Sequence, residues 1–408
     1  MTRTLAIAIS LVIATFTVAD EPKKSDAKPP AFAVEVETLK QGVEKKLQPI
    51  HAAVEKEYEA AKTDGDREAI RKKSHEKSAE VHTPAYEQAM KLLRPNAADP
   101  AAAVGLVWVS HAREAALQHE AVGLLRKHHL VRPETIELAK GMKQSGFGWV
   151  EGMLRAQLAA ADLPQDQAWR VLLSLAMCLQ GQANWPSQLA DASESELQEF
   201  DHFFGKERVA EMKKYDQAKL EAEAIKLFTE VGEKYPKREI IPGLPVGDLA
   251  RSSIFEIQNL SVGKVAPDIT GEDLDGVKFK LSESRGKVVM LSFWASWCGP
   301  CMGLVPHERE LVEQYEGKPF VLIGVNGDSE KKDLKKVIAE NKITWRSFWA
   351  GEKGPEGPIP RSWNVNGWPT IYLIDETGVI RSKTAIGKTL DMKVATLVAE
   401  AEKTNGKK

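Results

Sequence analysis

Two parts of different fold class are predicted: an all-α N-terminal region of stacked helical hairpins, followed by an α/β domain in which strands and helices alternate. Up to about Tyr235, apolar residues recur at helical spacing without strand alternation. Around Ile241-Pro242-Gly243-Leu244-Pro245 this texture breaks, and from about Val262 glycine-bounded β-type runs alternate with helical ones. At 408 residues the chain has room for two or three domains, and 43% hydrophobic residues suffice for a sizeable core. The 56 Lys and Arg against 58 Asp and Glu leave a net charge of −2, so no global field favours a nucleic acid partner.

Arg3 precedes an apolar run from Leu5 to Val18 that ends in Thr17-Val18-Ala19, the form of a secretory signal peptide over residues 1–19. The run is shorter than the roughly 20 residues of a membrane span, so cleavage after Ala19 is expected, with an uncleaved anchor as the alternative. Both place the body outside the cytoplasm, in the periplasm or cell envelope. Residues 20–34, rich in Lys and Pro, read as a flexible linker, and 35–245 as a helical domain. Within it Leu39, Val43 and Leu47 share a helical face. The run Ala101 to His129 reads as one helix, ended by Val131-Arg132-Pro133, where proline suits a new N-terminus. Further breaks fall at Gly146-Phe147-Gly148, Leu163-Pro164 and Asn184-Trp185-Pro186. Ala222 to Pro236 resembles the second helix of a tetratricopeptide unit, one weak match that leaves repeat status open.

In the domain 262–408, Val288 to Trp294 is a continuous apolar run suited to a central strand covered on both faces. A helix Gly299 to Tyr315, a strand Phe320 to Val325, a helix Ser329 to Asn341, strands Thr370 to Ile374 and Val379 to Ala385, and a helix Asp391 to Lys403 are predicted to follow. This order predicts parallel strands joined by right-handed crossovers. The Gly- and Pro-rich stretch Trp345 to Asn366 reads as a loop bordering a substrate groove.

Trp297-Cys298-Gly299-Pro300-Cys301 stands at the junction of strand and helix. Cysteines separated by two residues on one helical turn lie within bonding reach, the pattern of a redox disulfide, and Pro300 falls where its missing N–H is no loss. At the helix N-terminus, free backbone N–H groups and the helix dipole lower the Cys298 pKa below the free value of ~8.5, making it the expected nucleophile. Cys301, deeper in the helix, is expected to resolve the mixed disulfide. A static bridge closing so short a loop would stabilise little, and a zinc site lacks ligands beyond His307, so no metal is expected. Cys178, among apolar residues, reads as a buried helical thiol.

Gly263-Lys264-Val265-Ala266-Pro267-Asp268, Arg285-Gly286-Lys287-Val288-Val289, Phe293 to Cys301 and Gly367-Trp368-Pro369-Thr370 together resemble the thioredoxin superfamily, in particular exported TlpA-like thiol-disulfide oxidoreductases with a redoxin-type domain. The resemblance covers about Val262 to Lys403 and implies a thioredoxin fold, no cofactor, a cis Pro369 lying against the disulfide, and Trp368 facing substrate. With Trp297, Gly299, Pro300 and Thr370 these residues form the expected surround of the two cysteines, and Pro306 matches the family's helix-kinking proline. The Gly-Pro pair is similar to that of reducing thioredoxins, poised near about −270 mV.

This sequence also departs from the family. Ser292 stands where members often carry a buried acid in the strand, and Leu304 where TlpA-like relatives often place a Glu. On a continuous helix Glu308 would lie about 10 Å from Cys301, so no proton acceptor is expected beside the pair. The reading is an exported thiol-disulfide oxidoreductase that reduces protein or small-molecule disulfides, recharged by an unidentified thiol electron donor, with the helical domain holding a protein partner. A redoxin-type thiol peroxidase is the first alternative. It would need a Thr and a Pro where Ala295 and Leu291 stand. A helical binding protein with a vestigial redox domain is the second.

Overall fold

The protein is described by a computed structural model covering residues 28–406 apart from 62–63, 144, 191, 193, 333 and 384–386. The segment read as an export signal, and residues 20–27 of the stretch read as a linker, lie outside the described residues. The described chain divides into two compact units, one containing residues 28 to 181 with Phe200–Val209, the other Gln182–Glu199 with the residues from Ala210 on.

The first unit is helical. Helices α1 (Ala31–Ala60) and α2 (Asp64–Leu93) pair across a short connection, and α3 (Ala102–Val109), α4 (Ala115–His128), α5 (Pro133–Gly141) and α6 (Gly148–Ala159) follow. Helix α2 packs on α3, α3 on both α4 and α5, and α5 on α6, around buried Met90, Leu93, Leu106, Leu125, Ile136 and Leu154. Proline begins α5 at the predicted place. The run Ala101 to His129, expected as one helix, is two. At the bend the buried Gln118 amide donates to the carbonyls of Ser110 and Ala112, satisfying acceptors that a helix end leaves open. Helix α7 (Gln165–Ala183) follows, and α8 (Trp185–Ala190), α9 (Glu194–Phe204) and α10 (Lys206–Met212) fall in the stretch where the chain alternates between the two units.

In the second unit α11 (Gln217–Lys234) starts at Asp216, whose carboxylate accepts the Lys219 N–H at 3.0 Å. It packs on α12 (Val246–Asn259) across a small hairpin of β1 (Glu239–Ile241) and β2 (Leu244–Pro245). A second hairpin, β3 (Thr270–Glu272) with β4 (Lys278–Lys280), precedes the main sheet. That sheet is built from β5 (Val288–Trp294), β6 (Phe320–Asn326), β7 (Ser347–Trp349), β8 (Thr370–Ile374) and β9 (Ile380–Lys383), in the order β7-β6-β5-β8-β9.

The sheet is mixed, which corrects the expectation of parallel neighbours. β5 runs parallel to β6 and β6 to β7, while β8 is antiparallel to both β5 and β9. The tight turn Glu376-Thr377-Gly378 joins β8 to β9, and a connection this short accounts for the reversal between those two strands alone. Edge strand β7 and helix α16 (Pro358–Ser362) both lie inside the stretch expected to be a loop, where Phe348, Ile359 and Trp363 are buried.

Every residue of β5 is buried, and alternation sends its side chains into two layers. Val289, Leu291 and Phe293 pack with Leu260, Phe279, Ile359 and Trp363. Val288, Met290 and Trp294 face the opposite layer, which holds Cys298, Cys301 and apolar residues of α14 (Val305–Gln314), α15 (Leu334–Glu340) and α17 (Gly387–Asn405). Gly324 of β6 allows this layer to close, since a Cβ there would fall 2.7 Å from Trp294 Nε1.

Candidate active site

The cysteines sit where β5 ends. Cys298 is the N-cap of a single turn, α13 (Gly299–Met302), and its sulfur accepts the Cys301 backbone N–H at 3.2 Å. The two are joined in a disulfide with Cα atoms 5.2 Å apart. Both are buried, Cys298 at 5% exposure and Cys301 at 2%. The helix expected from Gly299 to Tyr315 breaks at Gly303-Leu304 and restarts as α14, with Pro306 in its first turn. Proline lacks the N–H that would bind the preceding turn, so the break comes just before it. What bears on Cys298 is therefore the local N–H of one turn, not the dipole of a long helix.

The Trp368–Pro369 peptide bond is cis. Trp368 is half-buried between Phe293 and Trp297, with ring centroids 6.2 Å and 6.0 Å away. Gly327 makes room for it, because a Cβ there would stand 2.5 Å from the indole. Trp297, next to the nucleophile candidate, is 57% exposed, and Gly299 and Pro300 are exposed beside it. Thr370 is placed differently. Its neighbour Ile371 lies in the cysteine layer, so alternation turns Thr370 to the other face, and its hydroxyl donates to the Gly367 carbonyl at 2.7 Å.

A polar clamp holds the motif's approach. The Asp328 carboxylate accepts the Ser296 N–H at 2.9 Å and the Ser296 hydroxyl at 2.5 Å, and also the Asn326 amide at 2.7 Å. The Asp328 carbonyl accepts Trp349 Nε1 at 2.8 Å. Sequence reasoning missed this clamp. The signal was Asn326-Gly327-Asp328-Ser329 at the carboxyl end of a strand, the end where open α/β sheets build sites.

A buried acid meets the strand that leads to the pair. Glu308 is 3% exposed and its carboxylate accepts the Ser292 hydroxyl at 2.7 Å. Ser292 shares its strand face with Met290 and Trp294, so helix α14 delivers a carboxyl to the strand position where family members often carry one. The 10 Å estimate assumed an unbroken helix. Burial pushes the Glu308 carboxyl up to about 7, against the lowering effect of the Ser292 hydrogen bond. Elsewhere, burial pushes the Cys178 thiol up to about 12.

Residues 262–383 match the AhpC/TSA family. Over 121 residues the chain is 36% identical to the thioredoxin-like protein YneN of Bacillus subtilis (strain 168), spanning 29% of this chain and 68% of that one. Over 123 residues it is 32% identical to the thiol-disulfide oxidoreductase ResA of Bacillus thuringiensis subsp. konkukian (strain 97-27), spanning 30% and 69%. The chain belongs to the thioredoxin-like thiol-disulfide oxidoreductases. Among solved structures, the thioredoxin domain of a thiol-disulfide oxidoreductase from Bacteroides vulgatus is 33% identical, covering 34% of this chain and 99% of its own with a TM-score of 0.32. The match to these oxidoreductases is confined to the sheet domain, and the helices before it lie outside the matched residues.

Proposed function

We propose that this oxidoreductase reduces disulfides by way of a mixed disulfide on Cys298, resolved by Cys301. The observation that carries the reading is the Cys298–Cys301 disulfide at the end of β5, with the Cys298 sulfur taking a backbone N–H and exposed Trp297 beside it. In the reduced protein the same N–H favours a thiolate on Cys298. The thiolate attacks one sulfur of the substrate disulfide, a Cys298–sulfur bond forms, and the first substrate thiolate leaves and takes a proton. Cys301 then loses its proton and attacks Cys298, closing the disulfide and releasing the second substrate thiolate. Two electrons pass from the cysteine pair to the substrate, and an external dithiol restores them.

Trp297, Gly299, Pro300, Trp368 and Pro369 line the approach, with the two indoles supplying apolar contact for an extended substrate, and Thr370 supports the loop before β8. Export is part of the same proposal, supported by the N-terminal apolar run and its small-residue end. Among the described residues no helix is long and apolar enough to cross a membrane. For the helical region we propose a protein-holding role.

Cys301→Ser tests the chemistry. Incubated with a disulfide-bonded protein such as insulin, this variant should accumulate a covalent complex that dithiothreitol releases, whereas Cys298→Ser should form none. Trapping through Cys301 alone would reverse the roles, and peroxide consumption faster than disulfide reduction would favour the peroxidase reading.

A further inference from the structure

At the carboxyl end of the main sheet the cysteine turn is tied to its neighbours by a chain of contacts. The Ala295 carbonyl accepts the Cys298 N–H at 3.1 Å, closing a turn whose second residue, Ser296, is gripped by the Asp328 carboxylate. Asp328 also reaches outward, since its carbonyl accepts the Trp349 indole N–H at 2.8 Å. Gly327, just before it, seats the Trp368 indole, whose ring centroid lies 6.0 Å from that of exposed Trp297. A continuous line therefore runs from Trp297 and Trp368, over Gly327 and Asp328, to Trp349. Phe348 lies in the layer away from the cysteines, so alternation turns Trp349 to their side of the sheet.

Beyond Trp349 the line opens into a cleft of about 620 Å³ lined by Ser329, Glu330, Lys331, Lys332, Trp349 and Glu352. Its outer charges, Glu330, Lys332 and Glu352, are exposed and weakened by water. Lys331 is different. It is half-buried, its ammonium lies 4.4 Å from the centroid of the Trp349 ring and donates to the Asp273 carbonyl at 3.4 Å, and among the described residues no carboxylate is paired with it. An ammonium has three N–H groups, and one long contact to a carbonyl leaves two for an incoming acceptor. A partly desolvated cation fixed over an indole selects an anion more strongly than exposed charges do.

We propose that Lys331 is a specificity-determining residue of this oxidoreductase, receiving the carboxylate of an acidic side chain on the substrate polypeptide. The proposal rests on the mixed-disulfide reading above. Strand order fixes the spacing, because β7 stands two places from β5. At ~4.8 Å per strand that is about 10 Å, which an extended chain covers in about three residues. The preferred substrate is a protein disulfide with Asp or Glu about three residues from the cysteine that Cys298 attacks. Such a chain lies across the two indoles and brings its acid to Lys331, whereas a Lys at the same place meets the ammonium as a like charge.

The test uses the full chain, reduced, and three peptide disulfides, each made of identical peptides joined through one cysteine, with Glu, Gln or Lys three residues to either side of it. Peptide thiol released after rapid mixing and acid quenching gives a saturating rate and a half-saturating concentration. The Glu peptide should half-saturate about fivefold below the Gln peptide, and the Lys peptide above it, at equal saturating rates. Lys331→Glu should reverse this order. Lys331→Met, which keeps an apolar stem over Trp349, should abolish it, and decides the matter if Lys331→Glu fails to fold. Equal half-saturation by the three peptides in the unaltered protein, or an order unchanged in either variant, would overturn the proposal and leave the mixed-disulfide reading standing. Peptide thiol release that persists in Cys298→Ser would instead defeat that reading.

Discussion

At the residue scale, the physical tension lies in Glu308. Desolvation holds its carboxyl at about 7 against an ordinary value of 4.5. The folded chain therefore binds a proton more readily than the unfolded chain, and the stabilising contribution is present in full below about 4.5 and lost as pH rises through about 7. The displacement corresponds to about 3 kcal/mol. Denaturant unfolding at pH 5 and pH 8 should show wild type losing up to that much more stability than Glu308→Gln over the interval. Equal losses would mean that the acid is ionised in the fold at both values.

Among elements, the decisive join is between the carboxyl ends of β5 and β6, because the cysteine turn hangs from it. Asp328 is 8% exposed and satisfies both the N–H and the hydroxyl of Ser296, two residues before Cys298. Asp328→Ala strands these donors and the Asn326 amide, and a buried donor left unpaired costs about 1–3 kcal/mol. The variant should unfold at correspondingly lower denaturant and reduce disulfides more slowly. Trp349→Phe, which removes the bond to the Asp328 carbonyl at 2.8 Å but keeps an aromatic ring and all of the Asp328 carboxylate's partners, should have the smaller effect on activity. If the two variants reduce disulfides equally well, the clamp does not position the motif.

For the molecule as a whole, the redox domain extends further toward the N-terminus than the family match, which begins at residue 262. Helix α12 sends Leu260 from its end into the layer with Phe293 and Trp363. Its Glu256 carboxylate is ion-paired with Lys383 of β9 and accepts the Asn364 amide at 2.7 Å. Burial pulls the Lys383 ammonium down, but the Glu256 charge and Tyr372 outweigh it, so its pKa sits above the ordinary lysine value. A half-buried lysine deprived of its carboxylate is destabilising by about 2–3 kcal/mol. A protein begun at Val262 should accordingly melt roughly 5 °C or more below one begun at Gln217. Equal melting temperatures would show that α11 and α12 add nothing to the domain.

What could be read in advance were features written in neighbouring residues. The all-apolar run of β5, the Cys-Gly-Pro-Cys spacing, the helix start at Pro133 and the family resemblance around Trp368-Pro369 are all local, because periodicity, φ restriction and a one-turn separation of sulfurs need no partner from elsewhere. Direction and company were not local. Whether β8 runs with or against β5, that Ser347–Trp349 becomes an edge strand, that α12 joins the sheet, and that Glu308 meets Ser292 depend on residues brought together across 16 to more than 100 positions. A carboxylate on an amphipathic helix looks the same in sequence whether it faces water or a sheet, and it was the break at Gly303-Leu304 with the packing of α14 on the sheet that turned this one inward.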